Sequence, residues 1–161
     1  MQFCADEVTM TMDQKTAEAK LRHVFENAVP FNKVVGMKVE SVDPDAPKLR
    51  FDMRPELIGN ARRQILHGGV ISAVLDVAAG FAIHLAVLRK KFEEPQDGHF
   101  PTIGTINLHI DYLRPGRGNY FIATGRVVRL GNRVAVAQME LVNDTGEQIA
   151  TGNAAYMLSS V

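Results

Sequence analysis

Residues 65–88 read ILHGGVISAVLDVAAGFAIHLAVL, and the fold follows from how this stretch is read. After Gly69 the run is apolar, without proline, lysine or arginine, and is broken only by Ser72, Asp76, Gly80 and His84. A surface helix shows a polar face at helical spacing. This one is apolar nearly all round, the pattern of a helix buried on every side. A membrane span competes, because about 20 apolar residues cross a bilayer. Asp76 in the middle of a span costs roughly 2.5–3.5 kcal/mol on insertion scales, and the flanks lack aromatic anchors. The stretch is therefore predicted to be a buried core helix.

On that helix Gly69, Ser72, Ala73, Asp76, Ala79, Gly80 and His84 fall along one stripe, since they recur at three- and four-residue spacing. Small residues there let another backbone or a ligand come close. A lone carboxylate in the stripe is expensive to bury unless paired or hydrogen-bonded. Two readings stand side by side: Asp76 makes a capping or cross-strand hydrogen bond, or it is a catalytic carboxylate. His67-Gly68-Gly69 falls where the helix begins. Its bare N–H groups, with the positive end of the helix dipole behind them, suit an anion or a developing oxyanion. A turn that merely needs glycine is the alternative. HGG together with Asp76 on one helix is the stronger signal.

A chain of 161 residues is large enough for its own core, and the expected organisation is a flexible tail over 1–14 and one domain over 15–161. The formal net charge of +0 gives no bias toward nucleic acid or an anionic membrane surface. A single cysteine, Cys4, rules out a disulfide framework within one chain and fits a reducing cytoplasm. The first residues, MQFCADEVTMTMDQ, lack the basic and apolar regions of a secretory signal. His23, His67, His84, His99 and His109 lack metal-ligand spacing, so no metal or other cofactor is expected. Tryptophan is absent, and the aromatics form no stacking platform for bases.

Lys15–Ala28 reads as a first helix with Ala17, Leu21, Val24, Phe25 and Ala28 on one face, ended by Pro30. A short connector follows from Val29-Pro30-Phe31. Residues 35–42 and 48–53 read as a hairpin around Asp43-Pro44-Asp45-Ala46-Pro47, and 55–64 as a loop leading to HGG. After the central helix, 89–100 (RKKFEEPQDGHF) reads as an exposed excursion or lid. Strands are expected over 102–113, 120–129, 133–143 and 148–158, joined by turn signals into an antiparallel meander. A helix apolar all round needs a strongly curved sheet or a second subunit to cover it, which points to an oligomer.

The segments ILHGGVISAVLDVAAG, GTINLHIDYLRPGRG, GNRVAVAQMEL and ATGNAAYML resemble the PaaI-like hotdog-fold acyl-CoA thioesterases, from about Val29 to the end. The resemblance implies an α+β hotdog fold, with a six-stranded curved antiparallel sheet around one long helix. It implies hydrolysis of medium- or long-chain acyl-CoA, or of aryl-acyl-CoA, in a homodimer or homotetramer with sites between subunits. In that pattern Asp76 is the general base or nucleophile, the Gly68 N–H polarises the thioester carbonyl, and His67 helps hold its oxygen. Asn60 orients the site, although it lies one residue further from His67 than in many relatives. Thr105 reaches in from the neighbouring subunit to position water. Thioester hydrolysis needs a polariser and a carboxylate in reach, and neither a metal nor a full triad. Gly69 would touch the substrate. CoA phosphates call for cations: Arg129 and Arg133 around Gly131 and Asn132 come first, then Arg114, Arg117, Arg62 and Arg63. Phe81, Leu85 and Leu88 are expected to line the acyl groove. A non-catalytic acyl-CoA-binding module is the alternative, and a hydroxyacyl dehydratase a weaker one. His99-Phe100-Pro101 echoes the latter, but it follows the helix instead of preceding it.

Overall fold

The computed structural model describes residues 13–93 and 101–159. Asp13 caps α1 (Gln14–His23), its carboxylate accepting from the Thr16 N–H at 2.9 Å. The helix runs into a π-helical turn, Val24–Ala28, so the expected first helix changes pitch at Val24. The stretch from Pro30 is not a connector. Pro30 holds the first position of a second helix, α2 (Pro30–Val35), which its fixed φ suits. Gly36, at φ 78°, closes that helix, and Val35 belongs to it instead of to the first strand.

β1 (Lys38–Ser41) and β2 (Lys48–Asp52) form the expected hairpin. The loop before HGG is more ordered than expected. It holds a 3-10 turn at Pro55–Leu57 and a small hairpin of β3 (Ile58–Asn60) with β4 (Ile65–Leu66). The central helix α3 spans Gly68–Glu93. The expected excursion from Arg89 is thus corrected, because Arg89–Glu93 continue the helix. Its charges lie on an exposed turn, and the Arg89 guanidinium meets Glu93, one turn on, at 2.9 Å. The rest of that excursion, with His99 and Phe100, and the tail with Cys4 lie outside the described residues.

β5 (Thr102–Tyr112), β6 (Tyr120–Leu130), β7 (Val134–Asn143) and β8 (Gln148–Ser159) complete an antiparallel sheet in the order β1-β2-β6-β7-β8-β5. The meander holds for β6, β7 and β8 but not for β5, which pairs with β8 at the far edge. The Pro115-Gly116 connection crosses the sheet end, anchored where the Leu113 and Arg114 N–H groups both reach Ile149 O. Register shifts at Thr105/Asn107 and Val127/Arg129 mark irregularities of the kind that bend a sheet. At Gly125 on β6 an added Cβ would lie 2.4 Å from Ala78 O, so only glycine lets α3 settle this close.

This is the hotdog architecture, one long helix gripped by a large curved sheet. By length and composition α3 could cross a membrane; here Val74, Leu75, Phe81, Ile83 and Leu85 are buried in the core instead, Phe81 with its ring 4.8 Å from Phe25. Each contributes roughly 1.5–3 kcal/mol on burial. The helix is not covered all round, however. Ala73, Asp76, Val77, Gly80 and His84 remain half-buried, while Ala79 turns into the core at 0 % exposure. The β5 edge is also open: Ile106 is 56 % and Tyr112 55 % exposed.

Candidate active site

Two clusters form on α3. The first is the helix start. His67 Nδ1 accepts from the Gly69 N–H at 2.9 Å, and His67 O accepts from the N–H groups of Val70 and Ile71. Three of the orphan donors of the first turn are thereby occupied. Among the described residues no acceptor meets the Gly68 N–H, which is left to point outward with the helix dipole behind it. Because Nδ1 accepts, the imidazole proton sits on Nε2. An added Cβ on Gly69 would lie 2.9 Å from His67 Nδ1, so a larger residue there would displace the imidazole. The Tyr112 hydroxyl donates to Gly68 O at 3.2 Å and ties this end to the last residue of β5. The Asn60 hairpin is fixed alongside by the His67 N–H donating to Leu57 O at 2.8 Å. The side chain of Asn60 accepts from the Arg63 N–H at 3.0 Å and is exposed.

The second cluster surrounds Asp76. Thr105 on β5 donates its hydroxyl to Asp76 Oδ1 at 3.0 Å. Tyr156 on β8 places its hydroxyl 2.6 Å from the same oxygen and 2.7 Å from Asp76 O. Among the described residues both donors fall on Oδ1 and none on Oδ2. Burial, then the hydrogen bond to Asp76 and its charge, push the Tyr156 phenol far above its usual range. The expectation that Thr105 enters from a neighbouring subunit is corrected: it serves the Asp76 of its own chain, because β5 and β8 pair with Thr105 opposite Tyr156. The two clusters do not meet within one chain. Gly68 and Asp76 stand about 12 Å apart along the helix at 1.5 Å per residue.

The remaining candidates scatter. Arg114 lies near the HGG end, where it donates to Gln148 O at 3.0 Å and faces Glu147 at 3.4 Å. Arg129, Gly131, Asn132 and Arg133 form the β6–β7 turn at the opposite end of the sheet, where Arg133 O accepts from the Leu158 N–H. Phe81 and Leu85 do not line a groove; both are 1 % exposed in the core, and the Phe81 ring packs on Phe25. Leu88 borders a different, apolar cavity of ≈ 290 Å³ that also involves Leu21, Val24, Phe25 and His84. Tyr156 and Tyr112 escaped the sequence reading. Tyr156 is the bulky polar residue that follows the small ones of ATGNAA, and its partners become apparent only once β5 is known to lie beside β8.

The fold and its carboxylate-bearing helix define a thioesterase-type hotdog protein, and the comparisons agree. The family model described as "Thioesterase superfamily" matches residues 63–150. The chain belongs to the thioesterase superfamily and is a thioester hydrolase. It is 42 % identical to the medium/long-chain acyl-CoA thioesterase YigI of Escherichia coli strain K12 and to that of Salmonella typhimurium, over 89 % of this chain and 96 % of each relative. A crystal structure from Shewanella oneidensis, described as related to the thioesterase superfamily, aligns at a TM-score of 0.79 with 38 % identity, covering 91 % of this chain and 97 % of that one. The Escherichia coli PaaI protein, at 19 % identity and a TM-score of 0.73, covers 91 % and 96 % and shares the fold.

Proposed function

We propose that the protein hydrolyses medium- and long-chain acyl-CoA to free acid and CoA at a site built from two copies of the chain. The observation that carries this reading is the state of the two clusters. Among the described residues, Asp76 has one oxygen committed and the other uncommitted, and the Gly68 N–H meets no acceptor. These are the carboxylate and the polariser that thioester hydrolysis needs.

Their separation of about 12 Å along one helix means that one chain cannot apply both to one carbonyl. A second copy can. A two-fold pairing of β5 edges, antiparallel about Leu108 and His109, sets Tyr112 of one copy opposite Thr105 of the other. The HGG turn held by Tyr112 then approaches the Asp76 held by Thr105. The same pairing satisfies the open β5 edge and covers the half-buried stripe of α3. A homodimer is the minimum, and a tetramer of two such pairs is compatible with it. We read residues 15–161 as one hotdog domain, with a cytoplasmic location in keeping with the single cysteine.

In the reaction the thioester oxygen accepts from the Gly68 N–H, and the Nε2–H of His67 is available beside it. Asp76 Oδ2 adds to the carbonyl carbon directly, or takes a proton from a water that adds. The tetrahedral oxyanion is stabilised at the helix N-terminus, and its collapse expels the CoA thiolate, which takes up a proton; on the direct route the acyl–Asp76 anhydride left behind is then hydrolysed by water to the free acid. The relatives' names support the medium- and long-chain preference. The test is free-thiol release from acetyl- to palmitoyl-CoA, plus phenylacetyl- and benzoyl-CoA. Release by the wild type that rises toward longer chains, and falls about 10²–10⁴-fold in Asp76→Asn, is the expected result. Binding without release by the wild type would make this an acyl-CoA-binding module, and equal release by the variant would remove Asp76 from the chemistry.

A further inference from the structure

We propose that Tyr156 is the positioning residue of Asp76, its phenol committing Oδ1 so that Oδ2 is the oxygen offered to the acyl group. The inference rests on the reading of Asp76 as the reacting carboxylate, and it names a residue that this reading does not require. Tyr156 is only 3 % exposed, on the inward face of β8 between Ala154 and Leu158. Its ring runs along α3 over Gly80, where an added Cβ would meet Cε1 at 3.9 Å. That distance is ordinary van der Waals contact, so the ring packs against the helix one turn beyond Asp76.

The single phenolic proton is shared between Asp76 Oδ1 at 2.6 Å and Asp76 O at 2.7 Å. This ties the side chain and the backbone of one residue to the same rigid point. A carboxylate held only by the Thr105 hydroxyl at 3.0 Å is free to rotate about its terminal torsion, which has a broad preference. Two donors on one oxygen fix that torsion. A phenol suits the task because its burial keeps it protonated, so that it remains a donor at any working pH. Among the described residues the groups that face the carboxylate are Tyr156 from β8 and Thr105 from β5. The next titratable group along its own helix, His84, stands about 12 Å on.

The test uses the full-length wild type, Tyr156→Phe and a variant with 3,5-difluorotyrosine at 156, each assayed for thiol release across pH. Deleting the hydroxyl is expected to lower kcat about tenfold or more, since a hydrogen bond to a charged group is lost. KM should stay within about twofold, because Tyr156 acts through Asp76 and not on the substrate. Difluorotyrosine keeps the ring and the hydroxyl donor, so its kcat, taken per folded molecule, should return to the wild-type level. A Tyr156→Phe variant with wild-type kcat per folded molecule, or a difluorotyrosine variant no more active than Tyr156→Phe, would reduce Tyr156 to a core residue while leaving the thioesterase reading intact. A wild type that releases no thiol overturns both.

Discussion

His67 and Gly69 constrain each other, and the pair gives a residue-scale prediction. An alanine at 69 would place its Cβ 2.9 Å from His67 Nδ1, so the imidazole must leave the position that fixes its tautomer. Alanine is also the better helix former, by about 1 kcal/mol. Gly69→Ala should therefore melt no lower than the wild type while kcat falls about 10²-fold, the usual effect of disturbing an oxyanion donor. Thermal melting beside thiol release checks this, and a variant with unchanged kcat would contradict it. HGG and Asp76 were legible in the sequence because each breaks the local pattern, two glycines at a helix start and one acid in an apolar run. Tyr156 was not. A tyrosine inside a strand is ordinary until its neighbour across the sheet is known, and that neighbour lies 51 residues earlier in the pairing of Thr105 with Tyr156.

α3 carries the prediction at the scale of an element. His84 donates from Nδ1 to Gly80 O at 2.7 Å and sets its ring edge-on to Phe25 at 5.5 Å. Burial, partly offset by that hydrogen bond, holds the imidazole below its ordinary 6.5, so the folded protein keeps it neutral. Below that value the unfolded chain takes up a proton that the folded chain does not. The contribution of His84 to stability is thus complete above pH 6.5 and is lost as pH falls through the window beneath it. His84→Gln should lose less of its melting temperature than the wild type between pH 7.5 and pH 5.5, and equal losses would contradict the assignment. The start of this helix was evident from its sequence and its end was not. Arg89–Glu93 look like loop residues by charge, yet charge on a solvent-facing turn is compatible with helix, and Pro95 comes too late to stop it.

At the scale of the molecule, the proposed dimer makes β5 decide both the assembly and the site. The local strand pattern showed its extent within a residue of the structure, but not its place, because the order β7-β8-β5 depends on how a connection crosses the sheet end and not on turn residues. The same gap hid the consequence that one chain holds Asp76 with Thr105 but keeps HGG away from them. Leu108→Arg, a charge in the middle of the open edge, should convert the oligomer to monomers in light scattering and abolish thiol release while leaving each chain folded. An active monomer would contradict the shared site. The most direct measurement is subunit mixing. Asp76→Asn and Gly69→Ala are each purified as nearly inactive proteins, unfolded and refolded together in equal amounts, and assayed for thiol release. With Asp76 and the HGG turn contributed by different copies, half the pairs are mixed and each mixed pair regains one intact site, so activity should recover to about a quarter of the wild type. A mixture no more active than its components would mean that each site is built from a single chain.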